Sequence, residues 1–138
     1  MGTAENLALV KEWFRRLADG EYAAMHALQT EDVEWDCLAG ASEGIVPWVG
    51  VFKGRAGIDA CLERFAGAVE AESFELQDFL VSEDGTIAVI GRTVLVAKKT
   101  RRRFHIDFVE YFRLRNGKIA YVRVFGDTAM ANAVFKES

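Results

Sequence analysis

An α+β fold, a long antiparallel meander wrapped around N-terminal helices, is what this 138-residue chain predicts. Three observations carry that reading. Apolar residues recur at helical spacing through the first third, and from Ser73 onward the pattern changes to period two and stays there. Turn pairs, Asp84-Gly85 and Asn116-Gly117, then punctuate the alternating half as hairpin signals do.

The first helix is written by Leu7, Val10, Phe14 and Leu17, with Trp13 widening the stripe. Thr3 is placed to cap its start and Asp19-Gly20 to stop it. A short second helix is expected from Glu21 to about Leu28, and residues 32–38 alternate as a short strand. A loop of glycine and small residues then runs to Gly54. It holds Ile45-Val46-Pro47-Trp48-Val49-Gly50-Val51-Phe52, six apolar side chains in eight positions, which a surface loop does not need, so it is expected to close over something. A third helix from about Arg55 to Val69 sets Ile58, Cys61, Leu62, Phe65 and Val69 on one side. Four strands follow, Phe74 to Val81, Ile87 to Ala97, Phe104 to Leu114 and Ile119 to Phe125, and a last helix from Thr128 to Phe135 is capped by Asp127. No repeat, linker or low-complexity segment divides the chain, which reads as one domain over 1–138.

Hydrophobic residues make up 51% and charged ones 28%, with a single proline, a balance that excludes a disordered chain. No apolar run approaches the roughly 18 residues of a membrane span, and no basic flank leads into an apolar stretch at the N-terminus, so a cytoplasmic location and no membrane partner are expected. A formal charge of −4 argues against nucleic acid; the basic run from Lys98 to Arg103 reads as a solvated hairpin tip. Cys37 and Cys61 lack CxxC spacing and neighbouring histidines, so they read as buried structural thiols and no metal is expected. An HExxH motif and a phosphate-cradling loop do not occur.

Chemistry is sought instead at Glu110. One face of its strand reads Phe104, Ile106, Phe108, Glu110, Phe112, Leu114, a single carboxylate in an apolar row. Such a group must pair, protonate or serve. Its neighbour depends on the following hairpin. A three-residue loop Arg115-Asn116-Gly117 sets Glu110 opposite Val122 and leaves it unpaired with a raised pKa. A two-residue turn Asn116-Gly117 sets it opposite Arg123, an ion pair that lowers the pKa. Asp36, just before the apolar loop, is the second candidate, as a base or as a turn residue. Asp107 and His105 share the opposite strand face with Tyr111 and Arg113 and read as solvated, while His26 carries little signal.

The order of these pieces resembles a known family. The Asp19-Gly20 stop, Val33-Glu34-Trp35-Asp36, Pro47-Trp48-Val49-Gly50 leading to Gly54, Asn116-Gly117-Lys118-Ile119, and Arg123 with Asp127-Thr128 look like the NTF2-like superfamily, in its SnoaL-like and ketosteroid isomerase-related group. That resemblance implies a cone of curved, antiparallel-rich sheet around three N-terminal helices, an internal apolar pocket, a homodimer and no cofactor. It sets Asp36 where the isomerases keep a proton-shuttling aspartate and Glu110 where they keep the protonated acid of an oxyanion hole. Their helix tyrosine corresponds to Trp13, whose indole N–H donates but is no phenol. Epoxide hydrolases of this fold keep an aspartate where this chain has Val124, which argues against that activity. SnoaL-type cyclases use a late aspartate whose counterpart is open between Asp107 and Asp127, which leaves a cyclase in view. The expected function is acid-base chemistry of isomerase, aldol-cyclase or dehydratase type on a small apolar carbonyl compound, with Trp13, Trp48, Phe52, Phe65, Phe108 and Phe112 as pocket wall or plain core. The alternative is a non-catalytic domain that binds a ligand or a protein.

Overall fold

A computed structural model describes residues 2–38, 40 and 42–136. Its elements are α1 (Thr3–Ala18), α2 (Tyr22–His26), β1 (Gln29–Cys37), β2 (Gly50–Lys53), α3 (Gly54–Ala68), β3 (Val69–Val81), β4 (Ile87–Ala97), β5 (Arg103–Arg115), β6 (Lys118–Gly126) and α4 (Thr128–Lys136). The six strands form one curved open sheet in the order β2-β1-β6-β5-β4-β3. Strands β3 to β6 make the expected antiparallel meander, and β1 joins it parallel to β6.

Thr3 does not cap α1. It is already helical, and Gly2 stands at the cap in extended backbone (ψ 165°), its carbonyl accepting the Asn6 N–H at 3.1 Å. The other end stops as expected: Gly20 turns left-handed (φ 73°) and the Glu21 N–H returns to Arg16 O at 2.9 Å. Asp127 caps α4 through Oδ1, which accepts the Met130 N–H at 2.9 Å.

Three strands differ from expectation, β1 by starting at Gln29 rather than Asp32. The segment 50–53, read as loop, is β2, pairing antiparallel with β1 from Glu34↔Lys53 to Cys37↔Gly50. Strand β3 starts at Val69 rather than Phe74, and its acidic opening, Glu70-Ala71-Glu72-Ser73, hides it from a search for apolar alternation. Register shifts between Ala71 and Ser73 and between Leu76 and Asp78 mark two bulges, which move the inward positions from Val69 and Ala71 to Phe74 and Leu76, then to Phe79 and Val81. Bulges and acids together suit β3 to the free edge of a sheet, where pairing with another chain must be discouraged. The basic tip is tied to that edge, where Arg101 meets Glu70 at 3.4 Å and Arg103 meets Glu72 at 3.0 Å, and to α3, where Lys98 Nζ donates to Ala66 O at 2.6 Å.

The core fills the inner face of the sheet beneath the helices. Trp13 of α1 is fully buried and meets Phe14, Trp35 and Phe112 edge-on at 5.0–5.5 Å. A buried Gln29 holds this cluster: its Oε1 accepts the indole N–H of Trp13 at 3.0 Å and of Trp35 at 3.3 Å. With that oxygen used, its Nε2 donates to His26 Nδ1 at 2.9 Å, and His26 Nε2–H is left to donate to Asp59 at 2.7 Å. Residues from α1, α2, β1 and α3 are thereby tied through one amide.

Candidate functional site

The turn between β5 and β6 is the two-residue one. Arg115 pairs with Lys118, and Asn116 (φ 52°) and Gly117 (φ 75°) are both left-handed, as a tight hairpin of this kind requires. Continued regularly, that register would set Glu110 opposite Arg123. It does not continue. Leu114 pairs with Ile119 but Arg113 pairs with Tyr121, so Ala120 is an extra residue on β6 and every later pair shifts by one. Glu110 therefore faces Val124, which neither register considered from the sequence provides, and Arg123 pairs with Tyr111 on the other face.

Glu110 lies on the inner face between Val89 of β4 and Val124 of β6, with Phe108 and Phe112 on either side along β5. Its Oε2 is buried and has no hydrogen-bond partner among the described residues. Loss of hydration with no compensating cation pushes its pKa up to about 8, so the carboxyl is mostly protonated at neutral pH. Phe108, next along the face, lies across Gly91 of β4. A Cβ on Gly91 would stand 2.5 Å from the Phe108 ring and 2.6 Å from Glu75 O. The ring reaches past that glycine to stack on Phe74 of β3, 5.3 Å between centroids at 21°.

Asp36 does not join Glu110. It pairs with Arg123 and Val51 across its neighbouring strands, which puts it on the outer face, and its Oδ2 lies 3.8 Å from Arg123 Nε. The reason is parity along β1: Val33, Trp35 and Cys37 are buried, and Glu34 and Asp36 alternate with them. The sequence already carried this signal in its apolar-polar alternation. The inner residue at that end of β1 is Cys37, which pairs with Val124 as Glu110 does from the other side. Cys37 and Gln29 are the residues of this interior that motif searching passed over.

The expected wall residues divide. Phe108 and Phe112 flank Glu110 on its own strand. Trp13 abuts Phe112, but its N–H is occupied by Gln29 rather than free for an oxyanion. Trp48 packs edge-on against Phe65 of α3 at 5.1 Å and Phe135 of α4 at 5.3 Å, so the apolar loop does close down on the helices. Phe52 is buried on β2, opposite Trp35. Of the remaining candidates, Asp107 is paired with Arg92 at 2.7 Å on the outer face, Asp127 is a cap, and His26 belongs to the Gln29 network. His105 is exposed.

The outer face has a different character. Two shallow depressions of about 120 and 180 Å³ meet at Arg123 and Phe125, the first beside Asp36 and the second between Tyr111 and Tyr121. Arg113 lies over both tyrosine rings, at 5.4 and 5.2 Å, and Arg123 over Phe125 at 4.5 Å. Among the described residues, no group of three or more His, Cys, Asp or Glu could hold a metal ion, and no helix is long and apolar enough to cross a membrane.

Comparison with known proteins agrees with this architecture. The SnoaL-like domain family matches residues 10–122. An NTF2-like protein from Burkholderia xenovorans LB400 superposes with a TM-score of 0.86 at 27% identity, covering 98% of each chain. A proposed isomerase from Rhodopseudomonas palustris gives 0.72 at 20% identity, over 94% of this chain and 96% of that one. A proposed SnoaL-like polyketide cyclase from Mesorhizobium loti gives 0.68 at 18%, over 86% and 97%. No match is found among curated proteins. The matched span and the curved sheet around its helices together make this chain a SnoaL-like member of the NTF2-like superfamily.

Proposed function

We propose that this chain is an enzyme of isomerase, cyclase or dehydratase type acting on a small apolar carbonyl compound, with Glu110 as hydrogen-bond donor to the carbonyl oxygen and water as the acceptor of the proton removed beside it. The observation that carries the reading is the buried, unpartnered Oε2 of Glu110 in an apolar row. Enolisation, aldol closure and dehydration each develop negative charge on a carbonyl oxygen. A carboxyl held neutral at pH 7 stabilises that charge without first having to desolvate or find a partner. Phe108 and Phe112 supply apolar contact on either side. Phe74 of β3, 45% exposed, stacks on Phe108 from the sheet edge. Relatives proposed as an isomerase and as a polyketide cyclase share the fold and lend support to this class of chemistry.

Substituted phenols, which imitate an enolate, test the assignment by calorimetric titration. Affinity should rise with phenol acidity in the native protein, and Glu110→Leu should abolish the trend. Equal binding by Glu110→Leu overturns the role given to Glu110.

We also propose that two copies associate through the outer face. Tyr, Arg and Phe are residues that interface centres favour, and Phe125 and Val51 are each 47% exposed there. Phe125→Asp should convert the protein from dimer to folded monomer in sedimentation analysis; a native protein already monomeric at tens of micromolar would refute the arrangement.

A further inference from the structure

The chain has two cysteines, and the fold brings them together from positions 24 residues apart. Cys37 ends β1 on the inner face, Cys61 sits on the buried side of α3, and their Sγ atoms are 4.0 Å apart, both unoxidised. Cys61 Sγ is also 3.6 Å from Trp48 O. With a single hydrogen to give, Cys61 serves the carbonyl, a better acceptor than sulfur. Its thiol therefore anchors the loop that follows β1, and that loop carries the Trp48 ring clamped between Phe65 and Phe135. One sulfur thus touches both the strand before the loop and the backbone within it.

We propose that Cys37 and Cys61 form a reversible disulfide, closed by small apolar disulfides, that crosslinks β1 to α3 and releases the Trp48 carbonyl from its anchor. The exchange balances. One cysteine sulfur attacks the reagent disulfide and expels a first thiol, which carries off a proton. The other sulfur then attacks the mixed disulfide and expels a second thiol with the second proton. The cysteine pair loses two electrons, and the reagent gains them. The second step is favoured by contact, since the sulfurs start 4.0 Å apart and close to a bond of about 2 Å.

Burial slows the pair toward every oxidant and sorts oxidants by charge and leaving group. Contact with Cys61, together with burial, holds the Cys37 thiol well above its ordinary range, so charged oxidants and those with poor leaving groups meet a protonated, shielded pair. A neutral reagent whose thiol leaves readily suits the site. Oxidation also consumes the S–H that Trp48 O accepts, which gives the loop a response that a purely structural thiol pair would lack.

Folded protein treated with 2,2′-dithiodipyridine tests both halves. The expected result is release of two thiopyridone equivalents per chain, an intact mass lower by two hydrogens without a retained adduct, and recovery on reduction with dithiothreitol. Cys37→Ser and Cys61→Ser should each stop at one equivalent and keep the pyridyl adduct. Hydrogen exchange over residues 42–49 should quicken in the oxidised protein and return on reduction, and Cys61→Ala, which lacks the donor without adding a crosslink, should quicken it too. Thiols that react only after unfolding, adducts retained on both sulfurs, or a disulfide that leaves loop exchange unchanged would each overturn the proposal.

Discussion

Two carboxylates three residues apart on β5 have opposite fates. Asp107 points to the outer face, where Arg92 Nε donates to it at 2.7 Å and holds its pKa below the ordinary carboxylate value. Glu110 points inward, finds no cation and is driven up to about 8. Both are acids on the same strand of the same sheet; the face alone separates a solvated ion pair from a neutral buried acid. What moves a residue from one face to the other is a change of one in the count, and β6 supplies such a change at Ala120. Without that bulge Arg123 would stand opposite Glu110, and the interior acid would become a second Asp107.

The largest effect is expected on turnover. Glu110→Leu removes the donor and should slow exchange of α-protons in a bound ketone by about 100-fold, measured by deuterium uptake, whereas Asp107→Asn should leave the rate within experimental error. Stability comes next. The folded pKa of Glu110, about 8, lies above the ordinary 4.5, so the folded state keeps a proton that the unfolded chain has already released. That contribution is complete below pH 4.5 and is lost as pH rises through 8. Glu110→Gln, which cannot ionise, should therefore unfold at the same urea concentration as the native protein near pH 4. By pH 7 it should be more stable by on the order of 3 kcal/mol. A difference that shrinks with rising pH would refute the buried neutral acid.

A smaller loss is expected at the glycine beneath Phe108. Gly91→Ala drives a methyl into that ring and into Glu75 O, and should cost about 1–3 kcal/mol in denaturant unfolding while weakening phenol binding. At the low end, Asp107→Asn, whose partner is exposed, should shift the melting temperature little and alter mainly its salt dependence.

Much of the fold was legible because it rests on local patterns. Leu7, Val10, Phe14 and Leu17 announce α1 by spacing, and Asp84-Gly85 and Asn116-Gly117 fall where the hairpins turn. Asp127 reads as a cap and is one. The losses were of another kind. Strand β2 is four residues long and is a strand only because β1 lies beside it, and the start of β3 is acidic because it forms a free edge. At the site, Glu110 was visible as an acid in an apolar row. Asp36, a candidate from its place before the apolar loop and from the family resemblance, is set on the outer face by the alternation of Val33, Trp35 and Cys37.

By itself, then, the sequence determined the helices, the meander, the turn at Asn116-Gly117 and the odd carboxylate, since each depends on residues within a few positions of one another. Tertiary structure alone decided which residue faces Glu110 and that Cys37 meets Cys61. Those outcomes depend on register and on contacts across long separations, and in a sheet with a period of two, one bulged residue reverses every side chain beyond it.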